Sequence, residues 1–205
     1  MMKKPLLVKI AVGVAALGAF AFLFIRSLED TRTAPYTVPS RHLKSWTLAL
    51  EQAPGPNDPL LVLRPLPELT SGLFKQIFAR SMESLETPNV PSVPLVLRAE
   101  FDRIVGDQMT ADALITAARA AGVESAPMLR CLVHRHVSEP GRVRQAYFIY
   151  LDAPAVVQFR RQLGLDTDAL TPILFVAGAG ADFNSWLPHR ATEADCLASI
   201  DVAES

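Results

Sequence analysis

Residues Pro5 to Ile25 (PLLVKIAVGVAALGAFAFLFI) carry one charge, Lys9. A helix of that length reaches roughly 30 Å at ~1.5 Å per residue, the thickness of a bilayer's hydrocarbon. A water-soluble fold has no use for so long an apolar run at one end, so the core must be built from the residues that follow. The basic start (Lys3, Lys4, Lys9) and the small pair Ala19 and Ala21 would also suit a signal peptide cleaved after Ala21. The run continues through Phe22-Leu23-Phe24-Ile25, past that point, which favours an uncleaved, single-pass anchor. More bases precede its centre than follow it, where Arg26 and Arg32 stand beside Glu29 and Asp30. The positive-inside rule therefore puts the N-terminus in the cytoplasm and the rest on the outer, periplasmic side of the inner (plasma) membrane. Cleaved or not, the rest of the chain is exported.

The expected layout is a cytoplasmic tip and transmembrane anchor over 1–26, a polar linker with Pro35 and Pro39 over 27–44, and one ordinary domain beyond. Outside the anchor and its flanks, acidic residues outnumber basic ones, which leaves no electrostatic footprint for nucleic acid. Beyond Arg26 the only lysines are Lys44 and Lys75, an arginine bias that fits genomic base composition. Two cysteines, Cys131 and Cys196, would meet an oxidising compartment. They fit either a disulfide, worth about 4 kcal/mol for a loop of this length, or two separate buried thiols. Their spacing excludes CxxC redox and CxxCH haem motifs.

Alternation predicts a strand at Trp46, Leu48 and Leu50; APGPNDP (53–59) reads as a turn and Leu60 to Leu63 as a buried strand. Leu69, Leu73, Phe74, Ile77, Phe78, Met82 and Leu85 recur at helical spacing, and prolines at 88, 91 and 94 end that helix. Val93 to Phe101 reads as a strand. Thr110 as N-cap, Asp112 in the first turn and Gly122 at the stop frame the next helix. Strands at about 127–137 and 143–151 form a hairpin across Glu139-Pro140-Gly141-Arg142. Asp152 is placed to cap a helix that has Pro154 in its first turn and ends at Gly164. PILFVA (172–177) is a strand, and a short helix is expected to open at Thr192 with Cys196, Leu197 and Ile200 on one side.

The order is ββαβ over 45–102, a linking helix over 103–123, and ββαβ plus a tail over 124–205. Gly55 corresponds to Gly141, Phe74-Lys75-Gln76 to Phe159-Arg160-Arg161, and Val93-Pro94-Leu95-Val96 to Thr171-Pro172-Ile173-Leu174. The expected fold class is α+β: an N-terminal transmembrane helix followed by one mixed-sheet domain built on a duplicated ββαβ unit. Strands flanking each crossover helix are expected to be parallel. One six-stranded sheet would carry helices mainly on one face and leave the other face or an edge for a partner.

Arg130, His134 and His136 form the densest polar cluster. Alternation groups them with Met128 and Leu132, opposite Leu129, Cys131 and Val133. They are the candidate ligand-binding face. His134 and His136 could share a metal with His42 or His189, but no carboxylate or cysteine has diagnostic spacing, so a solvated strand face is preferred and no metal or cofactor is assigned. Gly178-Ala179-Gly180 lacks the small residue a dinucleotide fingerprint needs where Phe183 stands, and reads as a loop with positive φ. Glu100, Asp102 and Asp152 are carboxylates at strand ends, equally suited to acid–base work or to capping. No nucleophile elbow is present. The sequence points to a membrane-tethered extracytoplasmic interaction or assembly module, held in the bilayer by Pro5–Ile25 and docking an envelope protein. A tethered small-molecule or metal binder, or a hydrolase using the face around His134 and His136, is the alternative.

Overall fold

The computed structural model describes residues 13–14, 17–27, 34–52, 55–139, 142–180, 183–188 and 190–204. The chain divides into two units, Met1–Ala34 and Pro35–Ser205. In the first, residues 13–14 and 17–27 are helical, Phe20 stacks on Phe24, and Leu17, Phe22, Leu23 and Ile25 are more than half exposed. Among the described residues no helix is long and apolar enough to cross a membrane. Much of Pro5–Ile25 lies outside them.

The second unit is α+β. In chain order it comprises β1 (Tyr36–Pro39), β2 (Trp46–Leu50), β3 (Pro59–Pro65), α1 (Pro67–Ser81) and β4 (Val93–Leu97). A short α turn, Arg98–Glu100, runs into a π turn, Phe101–Val105, before α2 (Ala111–Ala120). Then come β5 (Met128–Glu139), β6 (Arg142–Asp152), α3 (Pro154–Gln162), β7 (Ile173–Ala179) and β8 (Cys196–Ala203). Thr110 caps α2 by accepting from the Ala113 N–H, and Gly122 and Gly164 take positive φ just past α2 and α3, where a side chain would be strained.

The strands form two sheets, β2-β3-β4 and β1-β8-β5-β6-β7, not one of six strands. Only β1 and β8 are parallel; β3 pairs with β4, and β6 with β7, antiparallel. The expectation of parallel crossovers fails because each helix is followed by a further connecting segment, 82–92 after α1 and the turn and bends of 163–172 after α3, so that the next strand pairs antiparallel with the one before the helix. Residues 36–39, assigned by sequence to the linker, form β1 instead. The expected helix after Thr192 is a single 3-10 turn, Glu193–Asp195, running into β8. There Asp195 accepts from the Thr192 N–H and hydroxyl, and these bonds hold its carboxyl below the usual carboxylate range.

The five-stranded sheet is covered on both faces over β5, β6 and β7. One face packs Leu132, Ile149, Leu151, Leu174 and Ile200 into the main core with α1, α2, α3 and the small sheet. The other packs Cys131, Val133, Phe148 and Phe175 under Trp186 and Leu187. The expected free sheet face is therefore occupied there, while β8 stays exposed apart from Ile200.

Each edge strand also has a backbone group bonded from outside its sheet. On β1, the Gln76 side chain accepts from Thr37 N–H (2.9 Å) and donates to Thr37 C=O (2.8 Å), while Arg80 donates to Pro35 C=O. On β2, Leu48 N–H donates to Glu124. On β4, Leu95 C=O accepts from Arg160 and Leu97 N–H donates to Glu100. On β7, Gly178 exchanges two backbone bonds with Glu86. Each of the four edge strands thus has backbone groups engaged that would otherwise template another strand.

Within the α1 stripe, Leu69, Leu73 and Ile77 are buried, but Phe78 is 50% and Met82 87% exposed. Met82 ends α1 in the left-handed region (φ 54°), a conformation costing a non-glycine residue roughly 1–2 kcal/mol.

Candidate functional site

The strand face predicted to gather Arg130, His134 and His136 is broken by a bulge. The β5–β6 register slips between Leu129 and Cys131, leaving Arg130 as the extra residue. Leu132, expected beside the histidines on a polar face, is fully buried in the main core. Arg130 instead pairs with Asp152 at the other end of the hairpin. Asp152 is thereby an ion-pair partner rather than the cap of α3, whose N-cap is Ala153.

His134 belongs to a different cluster. Its ring stacks on Tyr147, its cross-strand partner, with centroids 4.2 Å apart and planes 7° from parallel. His134 Nε2 lies 3.2 Å from Gln145 Oε1, and Gln145 Nε2 donates to Glu83 Oε2 at 2.8 Å. Because the Gln145 amide nitrogen is committed to Glu83, its oxygen faces His134, and Nε2 of that ring carries the proton. Tyr147 Oη donates to the same Glu83 oxygen at 3.5 Å. Glu83 follows α1, so this network ties the return from α1 to the β5–β6 hairpin. His136 is exposed two cross-strand pairs further along, opposite Gln145. His42 lies in the 3-10 turn after β1, beside Arg41; His189, Pro140 and Gly141 lie outside the described residues. Among the described residues no group of three metal-ligating side chains converges.

Burial, the Glu83 charge, Tyr36 and the bond to Glu83 together push the Tyr147 phenol up to about 12. A phenol whose folded value lies above its unfolded value of about 10 stabilises the fold below pH ~10, and this contribution fades between pH ~10 and ~12. The tyrosinate absorbance of the folded protein should therefore include a late step near pH 12 that is missing in Tyr147→Phe. If the substitution leaves the titration curve unchanged, the network is not holding that proton.

Of the other carboxylates, Glu100 is the most constrained. It receives both terminal nitrogens of Arg160, at 2.6 and 3.0 Å, and Arg160 is 1% exposed. The same guanidinium donates to Leu95 C=O and Asp166 C=O. Glu100 therefore joins the first ββαβ segment to the second, and Asp102 stands in the neighbouring π turn. Gly178 is required for another reason: a Cβ there would come within 2.9 Å of the Gln145 carbonyl and the Phe183 ring. Gly180 takes positive φ. Cys131 and Cys196 are joined in a disulfide, with Cα atoms 5.7 Å apart.

An open groove of about 820 Å³ lies between the β5–β6 end and α3. Tyr150, Pro154 and Val157 line its apolar part, with Arg130, Asp152 and Arg161 among its polar residues. A second hollow of about 190 Å³ shares Tyr150, Val157 and Pro172 and carries the Arg190–Asp168 pair, 3.1 Å apart. The two together make an amphipathic trough with charged groups of both signs, suited to an extended ligand with charged and apolar parts. Of this site the sequence analysis named only Arg130 as a ligand-binding residue, together with Asp152 as a carboxylate. Tyr147 and Gln145 were also missed, although a hairpin closed on Glu139–Arg142 pairs them by counting with His134 and His136. No family model, no curated protein and no solved structure matches the chain.

Proposed function

We propose that the chain is a membrane-tethered, extracytoplasmic interaction module, anchored through Pro5–Ile25, that docks an envelope protein in the trough beside α3. The observation that carries this reading is the division among its polar groups. Arg160, Glu100, Gln76, Glu83 and Glu124 are committed to sheet edges and to internal joins, whereas the solvent-accessible pairs Arg130–Asp152 and Arg190–Asp168 and the side chain of Arg161 lie along an open trough. An extended segment of a partner could exchange charge pairs there while covering Tyr150 and Val157. The Cys131–Cys196 disulfide supports an oxidising compartment. The exposed apolar side chains of residues 17–25 support insertion in lipid.

A duplicated ββαβ origin accompanies this reading. Both halves share the element order and the antiparallel β-β-(α)-β pairing. Buried helix positions recur at one constant spacing, Thr70 with Val156, Leu73 with Phe159 and Ile77 with Leu163. That register differs by one residue from the Phe74–Phe159 match read in the sequence. The alternative, a small-molecule binder on the histidine face, is favoured by one feature: Gln145 and Glu83 fix the orientation of His134.

The test is crosslinking of the full-length protein in its native membrane, followed by capture. A stoichiometric envelope protein is expected, lost in Arg161→Glu and kept when His134 and His136 are both alanine. Recovery of the protein alone at every crosslinker dose would sink the docking reading. Loss of the partner only in the histidine variant would move the site to the histidine face.

A further inference from the structure

We propose that the C-terminal end of α1, through Phe78 and Met82, rests at the surface of a lipid bilayer. This inference rests on the tether reading and adds a second, interfacial contact to it.

Four observations converge on that corner of the unit. Phe74 and Phe78 stack with ring centroids 6.1 Å apart, and Phe78 and Met82 continue the stripe into solvent. Met82 pays twice, in backbone conformation and in apolar exposure, at a helix end where glycine or asparagine would avoid both. A strained residue that contributes nothing to the core points to a surface role. The chain enters the folded unit at this corner, because Arg80 holds the Pro35 carbonyl at 3.0 Å and Gln76 holds both backbone groups of Thr37. Nine residues lie between Ile25 and Pro35, a length that spans at most about 35 Å fully extended. The charges suit a membrane as well. Lys75 is exposed on α1 one turn before Phe78, and Glu83, the acidic residue next to Met82, is bonded to Gln145.

An apolar pair with a long-stemmed basic side chain beside it is placed to settle at the headgroup boundary of a membrane. The occupant is therefore the lipid surface rather than a second protein, because Arg80 and Gln76 hold the chain's point of entry at this same helix end. The trough beside α3 remains available to the docked partner, since α1 contributes no residue to it.

The full-length protein is reconstituted into vesicles of phosphatidylethanolamine and phosphatidylglycerol containing a trace of phospholipid with a diazirine on its acyl chain. After photolysis, lipid adducts are mapped by mass spectrometry. Adducts are expected within Pro5–Ile25 and also at Phe78 and Met82, while Met128, an equally apolar and 60% exposed residue at the opposite end of the β5–β6 hairpin, stays at background. The variant Phe78→Ser/Met82→Ser should lose the α1 adducts and keep those in Pro5–Ile25. Adducts confined to Pro5–Ile25 in the wild type would overturn the α1 contact and leave the tether standing. Absence of adducts from Pro5–Ile25 would overturn the tether and this inference with it. Equal labelling at Met128 would show adventitious contact and also overturn it.

Discussion

Glu100→Ala is expected to cost this fold about 3–5 kcal/mol, the largest effect of any single carboxylate change, because it strands a buried guanidinium. Arg160 is the largest fully buried side chain, and four of its hydrogen bonds converge on Glu100, Leu95 and Asp166. Without the carboxylate, a full positive charge remains in the core with only two carbonyl dipoles for company. Arg160→Ala should cost a comparable amount, since it leaves the Glu100 carboxylate and two carbonyls unsatisfied and opens a cavity. Glu100→Leu combined with Arg160→Met should be milder than either single change, because no lone charge is buried. It still orphans the Leu95 and Asp166 carbonyls and the Leu97 N–H, a residual loss of roughly 1–3 kcal/mol. Urea unfolding midpoints of the three variants decide it. A loss below about 1 kcal/mol in Glu100→Ala would mean that water reaches the pair and that the join between the two halves is weak.

The second large effect is expected on opening the disulfide. Replacing Cys131 and Cys196 with alanine should lower stability by about 4 kcal/mol, from the unfolded-state entropy of a loop closed across a sequence separation of 65 residues. The location makes the staple matter. β8 is held to β5 by a short, shifted register, it is exposed along most of its length apart from Ile200, and it carries β1 on its outer side. Little apolar burial would keep β8 in place alone, so β1 and β8 should loosen together. Wild-type protein in a strong reductant should melt like the alanine variant. Equal melting of oxidised wild type and variant would make the bond idle, and free thiols in protein isolated from cells would contradict the proposed export.

What was legible in the sequence followed from local periodicity and from residues with one dominant conformational use. The α2 cap at Thr110, the stops at Gly122 and Gly164, the hairpin after Met128 and the α+β class belong here. The candidate site was less legible. Alternation carries the side-chain direction along a strand only while the ladder is regular, and one bulge residue at Arg130 reverses it. That reversal sent Arg130 to Asp152 and Leu132 into the core, and left His134 to a network whose other members come from β6 and from the return after α1. The carboxylate Glu100 looked available because its partner lies sixty residues away on α3.

The sequence by itself determined that an apolar segment precedes an α+β unit, which helices and strands form, and that two cysteines could meet. Each of these depends on hydrophobic spacing or backbone preference within a few residues. Only the tertiary structure decided that the strands divide into two antiparallel-rich sheets, since the path of a connection depends on where its far end pairs. Only it decided that both faces of the larger sheet are covered over β5, β6 and β7 while β8 stays exposed, and that Phe78 and Met82 are left outside. Burial of one stripe residue and exposure of the next are set by the packing of distant elements, which no local period encodes.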